Sequence, residues 1–237
     1  GTPAVVSAAG GRGGGLMKRR VLVPVLFGLA LLCGGCSEED ANPVNPGPGN
    51  DVPDSDLPFP GTPDQLMVNF VTIYQAMDPV EYSLILDPAF ETLLLAATQA
   101  EFPDLGPTLD VAEENRIHGR LFSGEALTTP EGDLLPPTKE VVFNVFRKVV
   151  DWGLSLPTDP IPETLSALYD VDIILDRGQS YALARVQGQI RFYVTEAEGR
   201  IDGQPQTYYR LVGQLDLTGS LKGSEQTSWG SFKALYY

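Results

Sequence analysis

Residues 184–217 read ARVQGQIRFYVTEAEGRIDGQPQTYYRLVGQLDL, and the period of that stretch decides the fold. Ala184, Val186, Gly188, Ile190, Phe192 and Val194 fall on one side of an extended chain, while Arg185, Gln187, Gln189 and Arg191 fall on the other. This is the pattern of a strand with one wet face. A second strand follows, with Tyr209, Leu211, Gly213, Leu215 and Leu217 opposing Tyr208, Arg210, Gln214 and Asp216; Val212 is the exception. Gly188 and Gly213 stand mid-strand, where glycine often marks a bulge or bend, so the sheet is expected to curve.

The same period extends in both directions. Residues 140–152 are rich in β-formers on both faces, and Leu168–Leu175 alternates Tyr169, Val171, Ile173 and Leu175 against Asp170 and Asp172. Residues 227–236, TSWGSFKALY, are read as a last strand. Asp176-Arg177-Gly178, Glu198-Gly199-Arg200 and Thr218-Gly219 are short turn signals, which predict an antiparallel meander.

Before residue 123 the period is helical. Thr62-Pro63-Asp64-Gln65 supplies a cap, a proline at the first helical position and a glutamine three residues after the cap. Leu66, Phe70, Ile73, Tyr74 and Met77 then make one apolar stripe about four turns long. Asp78-Pro79-Val80-Glu81 opens a short helix that Asp87-Pro88 should end. Asp110-Val111-Ala112-Glu113 opens a third over 111–122, and Ser123-Gly124 stops it. Residues 89–110 mix both periods with Pro103, Gly106 and Pro107 and receive no assignment. Leading helices followed by a meander of long strands predict an α+β domain, with N-terminal helices packed on a curved antiparallel sheet.

Residues 37–62, SEEDANPVNPGPGNDVPDSDLPFPGT, hold six prolines, three glycines, six acids and no base. Such a segment cannot bury enough apolar surface to order itself and reads as a disordered tether, with a reach on the order of 80 Å if polyproline-like. Residues 1–16 lack Met and periodicity and read as an upstream extension. From Met17, Lys18-Arg19-Arg20 and the apolar run Val21–Leu32 form a secretory signal over 17–35. A transmembrane anchor is the alternative, against which stand the run's length, Pro24, Gly34 and Gly35.

The run closes Leu31-Leu32-Cys33-Gly34-Gly35-Cys36, which resembles the bacterial lipoprotein signal with its small residues before a modified cysteine. The match departs at Cys33, where that family usually carries an aliphatic residue. The resemblance implies lipid, palmitate included, on Cys36 and anchoring in the cell envelope. Ser37 agrees with sorting to the outer membrane. An ordinary secretory signal with a free or paired Cys36 thiol stays open. Loss of Arg12, Lys18, Arg19 and Arg20 would leave 12 basic against 31 acidic residues, net −19.

The full chain of 237 residues carries 16 Lys+Arg against 31 Asp+Glu, one His and two Cys. No basic stripe for phosphate exists, so no nucleic-acid partner is expected. One histidine and two cysteines cannot build a zinc cluster or a multi-histidine site. No phosphate loop, dinucleotide fingerprint or nucleophile elbow occurs after Met17, so no cofactor or metal is expected. The 175 residues from 63 to 237 suffice for one globular domain.

The run TPDQLMVNFVTIYQAMDPVEYSLILDPAF (62–90), the helix ENRIHGRLF (114–122) and the ending SWGSFKALYY (228–237) resemble bacterial lipoproteins with a nuclear transport factor 2-like domain. The resemblance implies helices packed in the concavity of a bent sheet, forming a cone with a pocket. It does not assign a function, since that superfamily holds isomerases, dehydratases, transport adaptors and noncatalytic modules.

His118 is the catalytic candidate, with Glu114 one turn earlier to orient an imidazole. The helical phase turns Ile117 and Leu121 to the core and puts His118 nearer the edge, as a surface or satisfied residue. Asp170 and Asp172 could form a paired carboxylate or cation site, or an ordinary solvated face. Arg185, Gln187, Gln189 and Arg191 could take an anion, or be the outer face of the sheet. Trp229, Tyr208, Tyr209, Tyr236 and Tyr237 could line a pocket or interface, or be core; terminal Tyr236 and Tyr237, taken as exposed, point weakly to dimerisation.

The leading expectation is a noncatalytic envelope lipoprotein anchored through Cys36, whose domain holds a small apolar ligand or a protein partner. The alternatives are an envelope dehydratase or isomerase with a pocket His or Asp as general base, and a structural module with a filled core.

Overall fold

In the computed structural model, which describes residues 52–128, 132, 134–219 and 226–237, each expected cap starts a helix. All of these residues lie in one unit, Asn45–Tyr237. The signal, Cys36 and the first part of the tether lie outside the described residues. Thr62 accepts from the Gln65 amide to open α1 (Pro63–Ala76), and left-handed Met77, φ 52°, closes it. Leu66, Met67, Phe70, Ile73 and Tyr74 are its buried stripe. Asp78 accepts from Val80 and Glu81 to open α2 (Pro79–Ile85).

The unassigned stretch supplies an edge of the sheet. β1 (Leu86–Leu93) follows α2 directly, then α3 (Ala96–Glu101) and β2 (Thr108–Asp110). Asp87-Pro88 does end the helix, but it falls inside β1, in the register break between Leu86 and Glu91. A proline without an N–H is tolerated there because the ladder is already interrupted. α4 (Val111–Phe122) begins with a reciprocal capping box between Asp110 and Glu113.

After a small hairpin of β3 (Leu127–Thr128) and β4 (Leu134–Leu135), the meander forms: β5 (Glu140–Leu154), β6 (Leu165–Asp176), β7 (Ala184–Ile201) and β8 (Gln204–Asp216). The sheet order is β2-β1-β8-β7-β6-β5, antiparallel except where β1 joins β8 in parallel. The helices pack on this curved, largely antiparallel sheet, and register breaks in β5 and between Tyr193 and Val194 mark its bulges.

Three expectations are corrected. Glu198-Gly199-Arg200 is not a turn: β7 continues to Ile201, and Asp202-Gly203, both at positive φ, make the two-residue hairpin. The final stretch is not a strand. Only β9 (Gln226–Thr227) is extended, paired in parallel with β7, and α5 (Trp229–Ala234) follows from an N-cap at Ser228. Trp229, Phe232, Lys233 and Tyr236 are spaced 0, 3, 4 and 7, one face of a helix, and all are buried.

The third correction explains the Val212 exception. Tyr193 pairs with Gly213 and Val194 with Leu211, so Val212 is an extra residue, a bulge. Beyond it the phase of β8 reverses. Gln214 and Asp216, read as the wet face, point inward with none of their surface exposed, while Leu217 faces solvent. Gly213 then lies on the outer face beneath Ile161, whose Cδ1 would stand 2.0 Å from a Cβ at that position.

The packed domain also begins before Pro63. Residues 52–62 lie along β7, β8 and α1: the Val52 amide donates to Arg200 O (3.0 Å), Tyr209 N to Pro60 O (3.0 Å) and Asn69 Nδ2 to Pro58 O (2.7 Å). Ser55 Oγ and Asp56 N bond the Glu81 carboxylate.

Candidate functional site

The phase reversal in β8 and the helical phase of α5 bring polar groups from six elements to one interior point. Glu114 and His118 come from α4, Tyr74 from α1, Tyr82 from α2, Thr92 from β1, Gln214 from β8 and Lys233 from α5. All seven are fully buried. The His118 that sequence phase put near an edge is therefore inside, and satisfied on both ring nitrogens. Its Nδ1 stands 2.8 Å from Glu114 O and 3.2 Å from Glu114 Oε2, both acceptors, so Nδ1 carries the proton. Its Nε2 then accepts from Tyr74 OH at 2.5 Å. The Tyr82 ring stacks on the imidazole, centroids 3.8 Å apart.

The Glu114 carboxylate is surrounded by donors. Lys233 Nζ reaches Oε1 at 2.6 Å, Thr92 Oγ1 donates to the same oxygen, and Tyr82 OH reaches Oε2 at 3.3 Å. Gln214 Nε2 bonds Thr92 Oγ1 at 2.7 Å, and Lys233 Nζ lies 5.1 Å from the centroid of Trp229. Burial alone would push the Glu114 carboxyl up, but Lys233 and His118 hold it down at about 2. Burial lowers both His118 and Lys233 against the pull of Glu114. His118 is thus neutral, and Tyr74 and Tyr82, raised by burial and by Glu114, keep their protons. Glu114 and Lys233 form an ion pair sealed in the core.

Asp216 belongs to the same wall. It accepts from Thr218 N (2.8 Å), Thr218 Oγ1 (2.5 Å) and Gly230 N (2.7 Å), tying the end of β8 to α5, while burial raises its carboxyl. Chemically, Tyr74, His118 and Glu114 form a chain along which a proton could pass. None of the seven lines either of the two open grooves, and Trp229, Phe232 and Tyr236 of the same C-terminal segment are buried as well.

Open concavities lie elsewhere. One groove of about 570 Å³ runs between α1 and β5, lined by Met67, Val68, Val71, Phe143, Phe146 and Tyr169, with Asp64 and Lys148 at one end. Another, of about 530 Å³, lies between residues 52–60 and the β7–β8 turn.

The other sequence candidates take ordinary places. Asp170 accepts from Arg147 (2.7 Å) and Gln189 (2.9 Å), and Asp172 from Arg185 (2.7 and 2.6 Å), so each carboxylate has its own partner on the outer sheet face. Arg191 lies 3.9 Å from Asp159. Tyr236 is not exposed: it is buried, its OH 3.1 Å from Thr138 Oγ1, and only Tyr237 is partly open, under Arg116. Tyr209 bonds Glu196 at the surface, and Tyr208 packs near Phe59. Among the described residues no group of three or more His, Cys, Asp or Glu could hold a metal ion, and no helix is long and apolar enough to cross a membrane. Cys36 lies outside the described residues.

Thr92, Gln214, Asp216 and Lys233 were missed by the sequence reading. The broken alternation at Val212 marks that the face of β8 changes near Gln214 and Asp216, and the 0, 3, 4, 7 spacing after Ser228 marks the buried face that holds Lys233; Thr92 has no such signal.

No protein-family model matches this chain, and no curated protein does. Among solved structures, a candidate aromatic ring hydroxylase from Novosphingobium aromaticivorans is similar at 12% identity and a TM-score of 0.39, over 64% of this chain and 82% of that one. AusH from Aspergillus nidulans is similar at 8% identity and a TM-score of 0.40, over 70% and 91%.

Proposed function

We propose that the chain is a cell-envelope lipoprotein, anchored through lipid on Cys36, whose nuclear transport factor 2-like domain is a noncatalytic binding module. The observation that carries the noncatalytic part is the interior itself. Its titratable groups are sealed and spend their hydrogen bonds on one another, whereas the groove between α1 and β5 is open and apolar. A ligand site needs concavity with a few polar groups at its rim, and the outer groove meets that description. A small apolar ligand or an apolar segment of a protein partner fits it.

The anchor is tested by intact mass spectrometry of protein from bacterial membranes beside Cys36→Ser. A mass starting at Cys36 with diacylglyceryl and acyl groups is expected, and an unmodified chain defeats the reading.

A second reading is favoured by one observation: His118 lies between a phenol and a carboxylate, as a general base of a dehydratase or isomerase would. It requires the interior to open. His118 is the single histidine, so diethyl pyrocarbonate reports its access directly. The binding-module reading expects modification only as the chain unfolds; rapid modification of folded protein would favour the enzyme.

A further inference from the structure

The end of the α1–β5 groove carries a net negative charge beside an aromatic floor, and that combination selects a ligand class. Lys148 Nζ bonds both oxygens of Asp64, at 2.8 and 3.1 Å, and stands 3.3 Å from Asp151. Trp152 Nε1 also donates to Asp64, at 2.8 Å. Two carboxylates thus share one ammonium. Lys148 is held in place, with a quarter of its side chain exposed, whereas Asp64 is 63% and Asp151 92% open. The acids are more open to solvent than the base, Asp64 on the lining of the groove and Asp151 beside Lys148.

Arg147, the nearest other cation in sequence, turns to the outer sheet face and pairs with Asp170. The floor is aromatic: Phe146 lies 4.8 Å from Tyr169 and 5.4 Å from Phe143, and Trp152 6.2 Å from Tyr169. Burial, then Asp64 and Asp151, raise the Tyr169 phenol, so the negative field extends over that floor. Aromatic faces and carboxylates both attract an organic cation, and the acidic chain as a whole steers cations inward.

We propose that this groove binds an organic ammonium with an apolar or aromatic body, the body on Met67, Phe143, Phe146 and Tyr169 and the ammonium at Asp64 and Asp151. The inference rests on the groove being the binding face of the module, and its test separates the two.

Three isosteric probes, 4-phenylbutylammonium, 4-phenylbutanol and 4-phenylbutyrate, are titrated into the full chain at low salt. The Trp152 indole N–H resonance, assigned with Trp152→Phe, is followed. The ammonium is expected to bind about tenfold tighter than the alcohol, and the carboxylate weakest, the order one net surface charge would impose. In an Asp64→Asn/Asp151→Asn chain with unchanged spectral dispersion, that preference should fall below about threefold. Equal binding of ammonium and alcohol would overturn the ligand class and leave the groove standing. A Trp152 resonance that no probe moves would remove the groove as well.

Discussion

Glu114 and Lys233 show how little a buried ion pair says about net stability. Both are stripped of water, and their attraction must offset that loss. Removing one partner is therefore far worse than removing both. Lys233→Met should cost about 3–5 kcal/mol, because Glu114 stays buried without its cation, whereas Glu114→Leu/Lys233→Met should recover most of that loss. Denaturant unfolding of both single variants and the double variant checks the sign of the coupling. His118 supplies the pH dependence at this scale. Burial holds its native form neutral below the ordinary 6.5, so the unfolded chain takes up a proton that the native chain refuses. Its contribution is fully present above pH 6.5 and is lost as the pH falls. Between pH 7 and 5.5 the natural chain should lose up to about 1.4 kcal/mol, and His118→Gln should flatten that slope. Glu114, near 2 natively against 4.5 unfolded, adds a loss in the same direction only below pH 4.5.

At the scale of elements, what was legible in the sequence was what local chemistry decides. Thr62, Asp78 and Asp110 each cap a helix because an oxygen-bearing side chain beside a proline or glutamate has few other uses there. The alternation of β6 and β7 survives because each buries one face. What was not legible depends on register. One extra residue at Val212 turns Gln214 and Asp216 inward, and no pattern within β8 says which side of the break faces the core. Residues 228–237 carry apolar spacing that fits a helix, yet Trp, Phe and Tyr also favour strands, and propensity alone misleads. The bulge gives a test. Gly213→Ala places a Cβ on Ile161 Cδ1 and 3.0 Å from Glu91 O. It should destabilise by about 1–3 kcal/mol. Adding Ile161→Ala should recover part of the loss, since a side chain can be removed and the Glu91 carbonyl cannot. No recovery on thermal unfolding would mean that Ile161 does not sit over the strand, and full recovery would mean that the Glu91 carbonyl does not crowd the added Cβ.

At the scale of the whole molecule, residues 52–62 change where the packed domain begins. Composition read them as tether because prolines, glycines and acids dominate. Yet a proline lacks only its N–H, and its carbonyl remains a good acceptor. Pro58 and Pro60 use theirs on Asn69 and Tyr209, and Leu57 packs against the core. Composition measures the surface a segment can bury by itself, not what a neighbouring sheet offers it. A chain beginning at Pro63 strands the Tyr209 amide, takes one acceptor from buried Asn69 and exposes what Leu57 and Phe59 cover. Each lost hydrogen bond removes about 0.5–1.5 kcal/mol, and the apolar cover removes more. The chain beginning at Pro63 should therefore be less stable than one beginning at Val52 by about 2–4 kcal/mol, with a larger denaturant slope in the longer chain because it buries more surface. Equal midpoints and slopes would return residues 52–62 to the tether.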